Sequence, residues 1–392
     1  MRNGLKVIVL ILIPLLAWPS WIRAEMAEEL SKPSTHAESA ALIDVTSGRI
    51  LFSKEGDKQM RIASLTKIMT AIVAIENGKL DDKVKVSAAA FGKEGSSIYL
   101  KLGEEMSLEN MLYGLMLRSG NDAATAIAEH VGGSEEGFVL MMNQKAEEIG
   151  LRGTHFMNPH GLDADGHYST ASDMARLTAY ALQNPVFKRI VATEQKSAPN
   201  PNESWDYSWH NKNKMLRLYE GADGVKTGYT KKAFRCLVSS ATRNGQQLAA
   251  VTLNDGDDWN DHARMLDFGF KHFPLVEIAK REQQVEGTDV ITGRSFKYPL
   301  AEGEKGALNK RLVLQSQPKS GGEGASSDPA FGLAGRIQIE LEGRQIGSIP
   351  VYRKGSYIPK EPQLDDAAFA EETGSKAWSS AWKAVISRLL SP

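Results

Sequence analysis

The chain has 392 residues, 42% hydrophobic and 24% charged, the balance of a folded soluble protein with room for two domains. A formal net charge of −1 gives no basis for a nucleic-acid partner. A single cysteine, Cys236, excludes an internal disulfide; it sits in the apolar run Cys236-Leu237-Val238 and is expected in the core.

The N-terminus reads as a targeting segment. Arg2 and Lys6 precede an apolar run over 7–18, followed by Pro19, Ser20 and Ala24. That order of basic, apolar and small residues predicts a signal peptide, 1–24, and export. Pro14 and Pro19 interrupt the run, which is also short for a membrane span. An exported chain this poor in cysteine suits a bacterial envelope.

Residues 39–53 alternate around Thr46-Ser47-Gly48 and predict a β-hairpin. A helix is expected from Ser64 to near Gly78, another over 107–117, a third over 123–131 ended by Gly132-Gly133, and a fourth from 135 closed by Gly150. Thr170, with Asp173 three residues on, resembles a capping box opening a fifth. After residue 220 the pattern turns to strands. Two β runs over 236–254 meet at Asn244-Gly245, a strong hairpin signal, and 265–273 returns to a helix. Strands at both ends of a helical stretch predict an α+β domain whose sheet mixes both chain ends.

From about 276 the composition shifts to short strands at 290–298, 310–315 and 336–352, with a Gly/Ser-rich loop at 319–327. The expected organisation is a signal peptide 1–24, a catalytic domain 36–275, a β-rich domain 276–355, and a linker with an amphipathic helix over 356–392. In that tail Trp378, Trp382, Val385, Ile386 and Leu389 share one helical face, with Lys376, Lys383 and Arg388 as the charges. Tryptophans and basic residues in that arrangement fit a membrane surface. The competing reading is a helix packed on protein.

Three short strings carry the chemistry: Ser64-Leu65-Thr66-Lys67, Ser119-Gly120-Asn121 and Lys226-Thr227-Gly228. S-x-x-K alone is weak and recurs at Ser316 and Ser380. The first copy alone opens an apolar helix and is followed in order by the other two strings, the set shared by class A β-lactamases and penicillin-binding proteins. Residues three apart share a helix face, so Lys67 can reach the Ser64 hydroxyl. A lysine base must be neutral, and moving its pKa from ~10.4 to ~7 takes roughly 4.6 kcal/mol. Burial and a second cation supply that, and Lys226 is the candidate cation. Ser119 is the candidate proton relay. Asn121 offers an amide to the substrate backbone, and Thr227 a hydroxyl to a substrate carboxylate. The backbone N–H groups of Ser64 and of a residue after Gly228, such as Thr230, are candidates for an oxyanion hole. Taken singly, each string has a plainer reading, as a helix cap, a turn and a surface strand.

With "IASLTKIMTA", "LMLRSGNDAA", "NPHGLD", "STASDMA" and "DGVKTGYT", the chain resembles the low-molecular-mass penicillin-binding proteins that are serine-type D-alanyl-D-alanine carboxypeptidases. It looks most like the sporulation-associated members from Bacillus-type bacteria. The resemblance implies a penicillin-recognising serine peptidase domain, a small all-β domain and an amphipathic anchor at the outer face of the cytoplasmic membrane. It implies removal of the terminal D-alanine from peptidoglycan stem peptides through an acyl-enzyme on Ser64, with β-lactams as covalent inhibitors and no cofactor or metal. Ser64, Lys67, Ser119, Asn121, Lys226, Thr227 and Gly228 match the motif positions.

One departure stands out. Many such relatives have a carboxylate-binding arginine in the loop after the last core strand. Here that loop is acidic, "NDGDDWNDHAR", and Arg264 falls late. Thr227, Lys226, Lys231 and Arg235 are the expected substitutes. A class A β-lactamase needs an E-x-x-L-N string between the second and third motifs, and none occurs; no histidine stands in H-E-x-x-H, against a metallopeptidase. His160 in "NPHGL" is expected to stabilise its loop as a hydrogen-bond donor. A penicillin-binding sensor that acylates without turnover stays open, because sequence does not place the deacylating water.

Overall fold

A computed structural model describes residues 32–315 and 332–359. The expected signal peptide 1–24, the loop 319–327, the S-x-x-K copies at Ser316 and Ser380, and the amphipathic tail lie outside the described residues.

The expected first hairpin is present as β1 (Ser39–Asp44) and β2 (Ile50–Lys54). A 3₁₀ turn, Ala63–Thr66, runs into α1 (Lys67–Asn77), whose first eight residues are all buried. A helix that is apolar around its whole circumference belongs at the centre of a domain, and α1 does. A short pair, β3 (Lys83–Lys85) with β4 (Glu105–Ser107), precedes α2 (Leu108–Arg118), α3 (Asn121–Gly132), α4 (Glu135–Glu148), α5 (Ala171–Leu182) and α6 (Pro185–Ala192). Caps set the helix starts. Ser107, Ser134, Thr170 and Asn184 each accept a backbone N–H of the first turn that follows, worth about 1 kcal/mol apiece. Thr170 caps α5 as expected, but Asp173 does not complete a capping box. Its carboxylate instead takes Gly153 N at 2.7 Å and Thr154 Oγ1 at 2.9 Å.

A second small hairpin, β5 (Gln195–Ala198) with β6 (Tyr207–His210), and the single turn α7 (Met215–Leu218) lead to the long strands β7 (Ala222–Thr230), β8 (Phe234–Arg243) and β9 (Gln246–Leu253). Asn244 and Gly245 both have positive φ, +51° and +77°, the backbone of a two-residue hairpin turn. The five-stranded sheet has the order β2-β1-β9-β8-β7. It does join both chain ends, because β1 pairs antiparallel with β9. Its residues alternate between two cores. Ala41, Ile43, Ala249 and Val251 face the core shared with α1–α6, while Ala40, Leu42, Leu248 and Ala250 face the core closed by α8 (Asp258–His272). This period of two, with a core on each face, explains why 248–251 at the centre of the fully buried β9 is apolar without alternation. Cys236 is buried in the first core.

The final strands are β10 (Leu275–Ala279), β11 (Val290–Thr292), β12 (Phe296–Pro299), β13 (Leu308–Leu314), β14 (Leu333–Leu341) and β15 (Arg344–Arg353). They form a β10-β12 pair and a four-stranded sheet, β11-β15-β14-β13, around a third core that includes Ile337, Ile339, Ile349 and Val351. The runs expected at 290–298 and 336–352 are each two strands. Arg49 of the turn before β2 ties this region to the first sheet. Its guanidinium pairs with both oxygens of Glu304, donates to the Pro299 carbonyl at 2.7 Å, and lies over the rings of Phe273 and Tyr298.

Candidate active site

Ser64 lies in the 3₁₀ turn, one residue after Ala63, whose φ is +47°. The sequence led us to expect an α-helix from Ser64; the α-helix begins only at Lys67. The left-handed Ala63 and the bond from Leu65 N to Ile62 O at 3.1 Å tighten the chain before α1. Thr66 locks the turn, donating its hydroxyl to Ala63 O at 2.9 Å. His167 Nδ1 accepts from Met157 N at 3.1 Å, so Nε2 carries the hydrogen and gives it to Thr66 Oγ1 at 2.8 Å. Burial holds the His167 pKa down to about 4, consistent with that neutral tautomer.

Lys67 is fully buried, and Nζ has three neighbours: the His160 carbonyl oxygen at 2.5 Å, Asn121 Oδ1 at 2.7 Å and Ser64 Oγ at 3.2 Å. Carbonyl oxygens only accept. A neutral amine has two hydrogens and one lone pair, so the carbonyls take both hydrogens and the lone pair is left for Ser64. The serine hydroxyl then donates to it. Desolvation first, then the charges of Lys226 and Lys212, drive the Lys67 pKa well below its ordinary value. Lys226 is therefore a second cation acting on Lys67, as the sequence led us to expect.

Lys226, Thr227 and Gly228 lie on β7, at the edge of the sheet. Lys226 is buried and donates to Ser119 Oγ at 3.1 Å and to Thr227 O at 2.6 Å. Burial, then repulsion from Lys212, lowers its pKa to about 7. Ser119 ends α2 in the left-handed region, φ +66°, which turns its hydroxyl toward Lys226. Two non-glycine residues with positive φ thus flank the site, a strain commonly stored at functional centres. Gly228 packs on the turn that carries Ser64: a β-carbon on it would lie 3.2 Å from Ser64 N. Thr227 is half-buried on the same strand.

A family model described as D-alanyl-D-alanine carboxypeptidase, peptidase S11, matches residues 26–257, more than half of the chain. The chain belongs to this family. D-alanyl-D-alanine carboxypeptidase DacF of Bacillus subtilis is 32% identical over 371 residues, covering 92% of this chain and 93% of its own. Among solved structures, D-alanyl-D-alanine carboxypeptidase DacD from Francisella tularensis superposes with a TM-score of 0.63 at 25% identity, over 84% of this chain and 96% of that one. A mutant of the Streptomyces K15 DD-transpeptidase gives 0.58 at 32% identity, over 61% of this chain and 100% of that one.

Within this carboxypeptidase-family site, several supporting residues escaped the sequence reading. The loop "NPHGL" is a cradle for Lys67. Pro159 O accepts Thr70 Oγ1 at 2.6 Å, Asn158 Oδ1 accepts Gly161 N at 2.7 Å, and the His160 carbonyl accepts Lys67. His160 Nδ1 accepts from Leu162 N at 3.2 Å, so at that atom the ring stabilises its loop as an acceptor and not as the expected donor. Asn121 also differs from expectation. Its Oδ1 holds Lys67 and its Nδ2 donates to Glu94 O at 2.6 Å, so the amide positions the Lys67 amine. Asp122, buried at the start of α3, accepts Ser97 Oγ at 2.6 Å and the amides of Ile98 and Leu100 at 3.1 and 3.2 Å. It fixes the loop 94–100 against the second motif. The string S-G-N-D contained this residue, but nothing local marked its partners.

Of the expected carboxylate binders, Arg235 is engaged by both oxygens of Asp258. Arg264 pairs with Asp257 and Asp261 and donates to Ser34 O. His36, Asp257 and Asp261 bring ligand atoms within 4.8 Å of one another, and Arg264 already pairs with both carboxylates of that group. Thr230 donates to Asp163 at 3.1 Å and accepts from Ala233 N at the end of β7.

Proposed function

We propose that Ser64 is the nucleophile, Lys67 its base and Ser119 the relay of a serine D-alanyl-D-alanine carboxypeptidase acting on peptidoglycan stem peptides. The observation that carries this reading is the place of the Lys67 amine, fully buried and 2.5 and 2.7 Å from two carbonyl oxygens and 3.2 Å from Ser64 Oγ; once neutral, it gives its two hydrogens to the carbonyls and turns its lone pair to Ser64.

Ser64 Oγ attacks the carbonyl carbon between the two D-alanines, and its proton moves to Lys67 Nζ. The amides of Ser64 and of the strand after Gly228 face the developing oxyanion. Collapse breaks the C–N bond. The leaving amine takes a proton through Ser119, which Lys226 holds in place. D-Alanine departs, leaving an ester on Ser64. Water then attacks the ester, Lys67 accepts its proton, and the hydroxyl of Ser64 is restored. A β-lactam would follow the first half of this path and stop at the ester.

The wider assignments belong with this proposal. They are export by the segment 1–24, a catalytic domain 36–275 followed by a β domain 276–355, peripheral attachment to the outer face of the cytoplasmic membrane through the tail, and a sporulation role. Among the described residues no helix is long and apolar enough to cross a membrane. Deletion from Gly374 onward should release the protein from membranes with activity intact; continued sedimentation with membranes contradicts the anchor. The catalytic reading is tested by D-alanine release from a peptide ending in D-Ala-D-Ala. Release by the parent and none by Ser64→Ala supports it. Stoichiometric β-lactam labelling without release points to the sensor.

A further inference from the structure

The two carbonyl oxygens that hold Lys67 lead to one further carboxylate. The His160 carbonyl accepts Lys67 Nζ at 2.5 Å. The His160 imidazole is only 5% exposed. Its Nδ1 accepts from Leu162 N at 3.2 Å, so a neutral ring carries its hydrogen on Nε2. That nitrogen is buried with no acceptor in ordinary hydrogen-bond geometry, and Glu135 Oε1 faces it at 3.5 Å. A buried N–H without an acceptor costs roughly 1–3 kcal/mol, which draws the ring toward Glu135. Desolvation holds the His160 pKa below its ordinary value, against the pull of Glu135.

Glu135 is itself fixed. It opens α4 directly after the cap Ser134, where the helix dipole favours a negative charge. Its other oxygen, Oε2, accepts Thr125 Oγ1 at 3.3 Å and Lys93 Nζ at 3.2 Å. Thr125 is buried on α3, one turn after Asn121 and on the same face. Asn121 Oδ1 is the second oxygen that holds Lys67. Lys93 precedes Glu94, whose carbonyl takes Asn121 Nδ2 at 2.6 Å. The His160 imidazole first, then Lys93, hold the Glu135 pKa down to about 2 against the opposing effect of burial. The carboxylate is therefore ionised throughout the neutral range.

We infer that Glu135 is a positioning residue for the Lys67 amine: it orients His160 through the imidazole and Asn121 through Thr125, and so sets both oxygens that take the hydrogens of the neutral amine. The inference rests on the carboxypeptidase reading above. Glu135 works at one remove from the reacting atoms, so it should govern the acylation rate and leave substrate binding alone.

The test pairs two substitutions of similar size in the full protein. Glu135→Gln keeps an oxygen for His160 and Thr125, and Glu135→Leu keeps none. Single-turnover release of D-alanine from a peptide ending in D-Ala-D-Ala separates the acylation rate from binding. Glu135→Leu should lower that rate by about 10- to 100-fold, as misplaced catalytic groups do, with binding nearly unchanged. Glu135→Gln should recover most of the loss. Equal rates for the Gln and Leu variants, whether both fast or both slow, overturn the assignment while the carboxypeptidase stands, as does a loss in Glu135→Leu that falls on binding. Where Glu135→Leu does not fold, nitrogen NMR of the parent decides. His160 should be neutral with its hydrogen on Nε2 near neutral pH, and a hydrogen on Nδ1 overturns the assignment. A parent protein that releases no D-alanine overturns the carboxypeptidase reading and this inference with it.

Discussion

Gly161 stands so close to Ala63 that a β-carbon on it would lie 2.0 Å from the Ala63 carbonyl oxygen. That oxygen is the one Thr66 grips to close the turn of Ser64. The residue before Gly161 supplies the carbonyl that holds Lys67. The turn of Ser64 and the cradle of Lys67 are therefore packed backbone to backbone. Gly161 has φ +82°, so any side chain there is both crowded and strained. Gly161→Ala should destabilise the fold by roughly 2–5 kcal/mol and slow acylation by roughly 100-fold, as misplaced catalytic groups do. Denaturant titration and β-lactam acylation rates check the two halves separately; a variant acylated at the parent's rate contradicts the packing argument.

The Lys67 pKa is lowered, so the neutral base survives well below the ordinary lysine range. Activity should be lost as pH falls through that depressed pKa. Lys226→Gln removes one of the charges that depress it, so Lys67 protonates at higher pH and the acid limb should move upward. Lys67→Arg, always charged, should abolish acylation. A pH–rate profile of acylation for parent and Lys226→Gln decides; an acid limb that stays in place argues against coupling between the two lysines.

Two buried imidazoles contribute to the loss of stability in acid. His167 is held at about 4 and His262 at about 3, desolvation being the leading cause in each. Both folded pKa values lie below the unfolded value of ~6.5, so the unfolded chain binds more protons as pH falls. Their contribution to stability is complete above pH ~6.5 and should be lost as pH falls toward 4, with a slope approaching about 1.4 kcal/mol per pH unit for each histidine. Unfolding midpoints at a series of pH values measure this, and a flat series between pH 6.5 and 4.5 would count against it.

Asp122→Ala strands the amides of Ile98 and Leu100, which have this carboxylate as acceptor. The expected cost is roughly 2–4 kcal/mol, with loop 94–100 loosened and the hold of Glu94 O on Asn121 weakened. Hydrogen exchange at Ile98 and Leu100 should accelerate in the variant. Unchanged protection at both amides would show that another group satisfies them.

Much of this was legible in the sequence. The Asn244-Gly245 hairpin and the Thr170 start of α5 are local signals, and their readings agree with the structure; the caps at Ser107 and Ser134 are equally local and were passed over. Helix α6 escaped although Asn184-Pro185 is a strong cap-and-proline start. The β5–β6 hairpin escaped because its strands are only four residues each. What sequence could not give was contact across distance. Lys67 meets Asn121 and the His160 carbonyl, 54 and 93 residues away, and a backbone carbonyl has no residue type to read.

The central claim is that Ser64 forms the acyl-enzyme. The most direct measurement is to quench the protein with acid during turnover of a D-Ala-D-Ala ester analogue, digest it, and locate the added acyl mass. The account predicts the adduct on the peptide bearing Ser64 in the parent, and none with Ser64→Ala or Lys67→Arg. An adduct on Ser119, or hydrolysis of the ester by Ser64→Ala at the parent's rate, would contradict it.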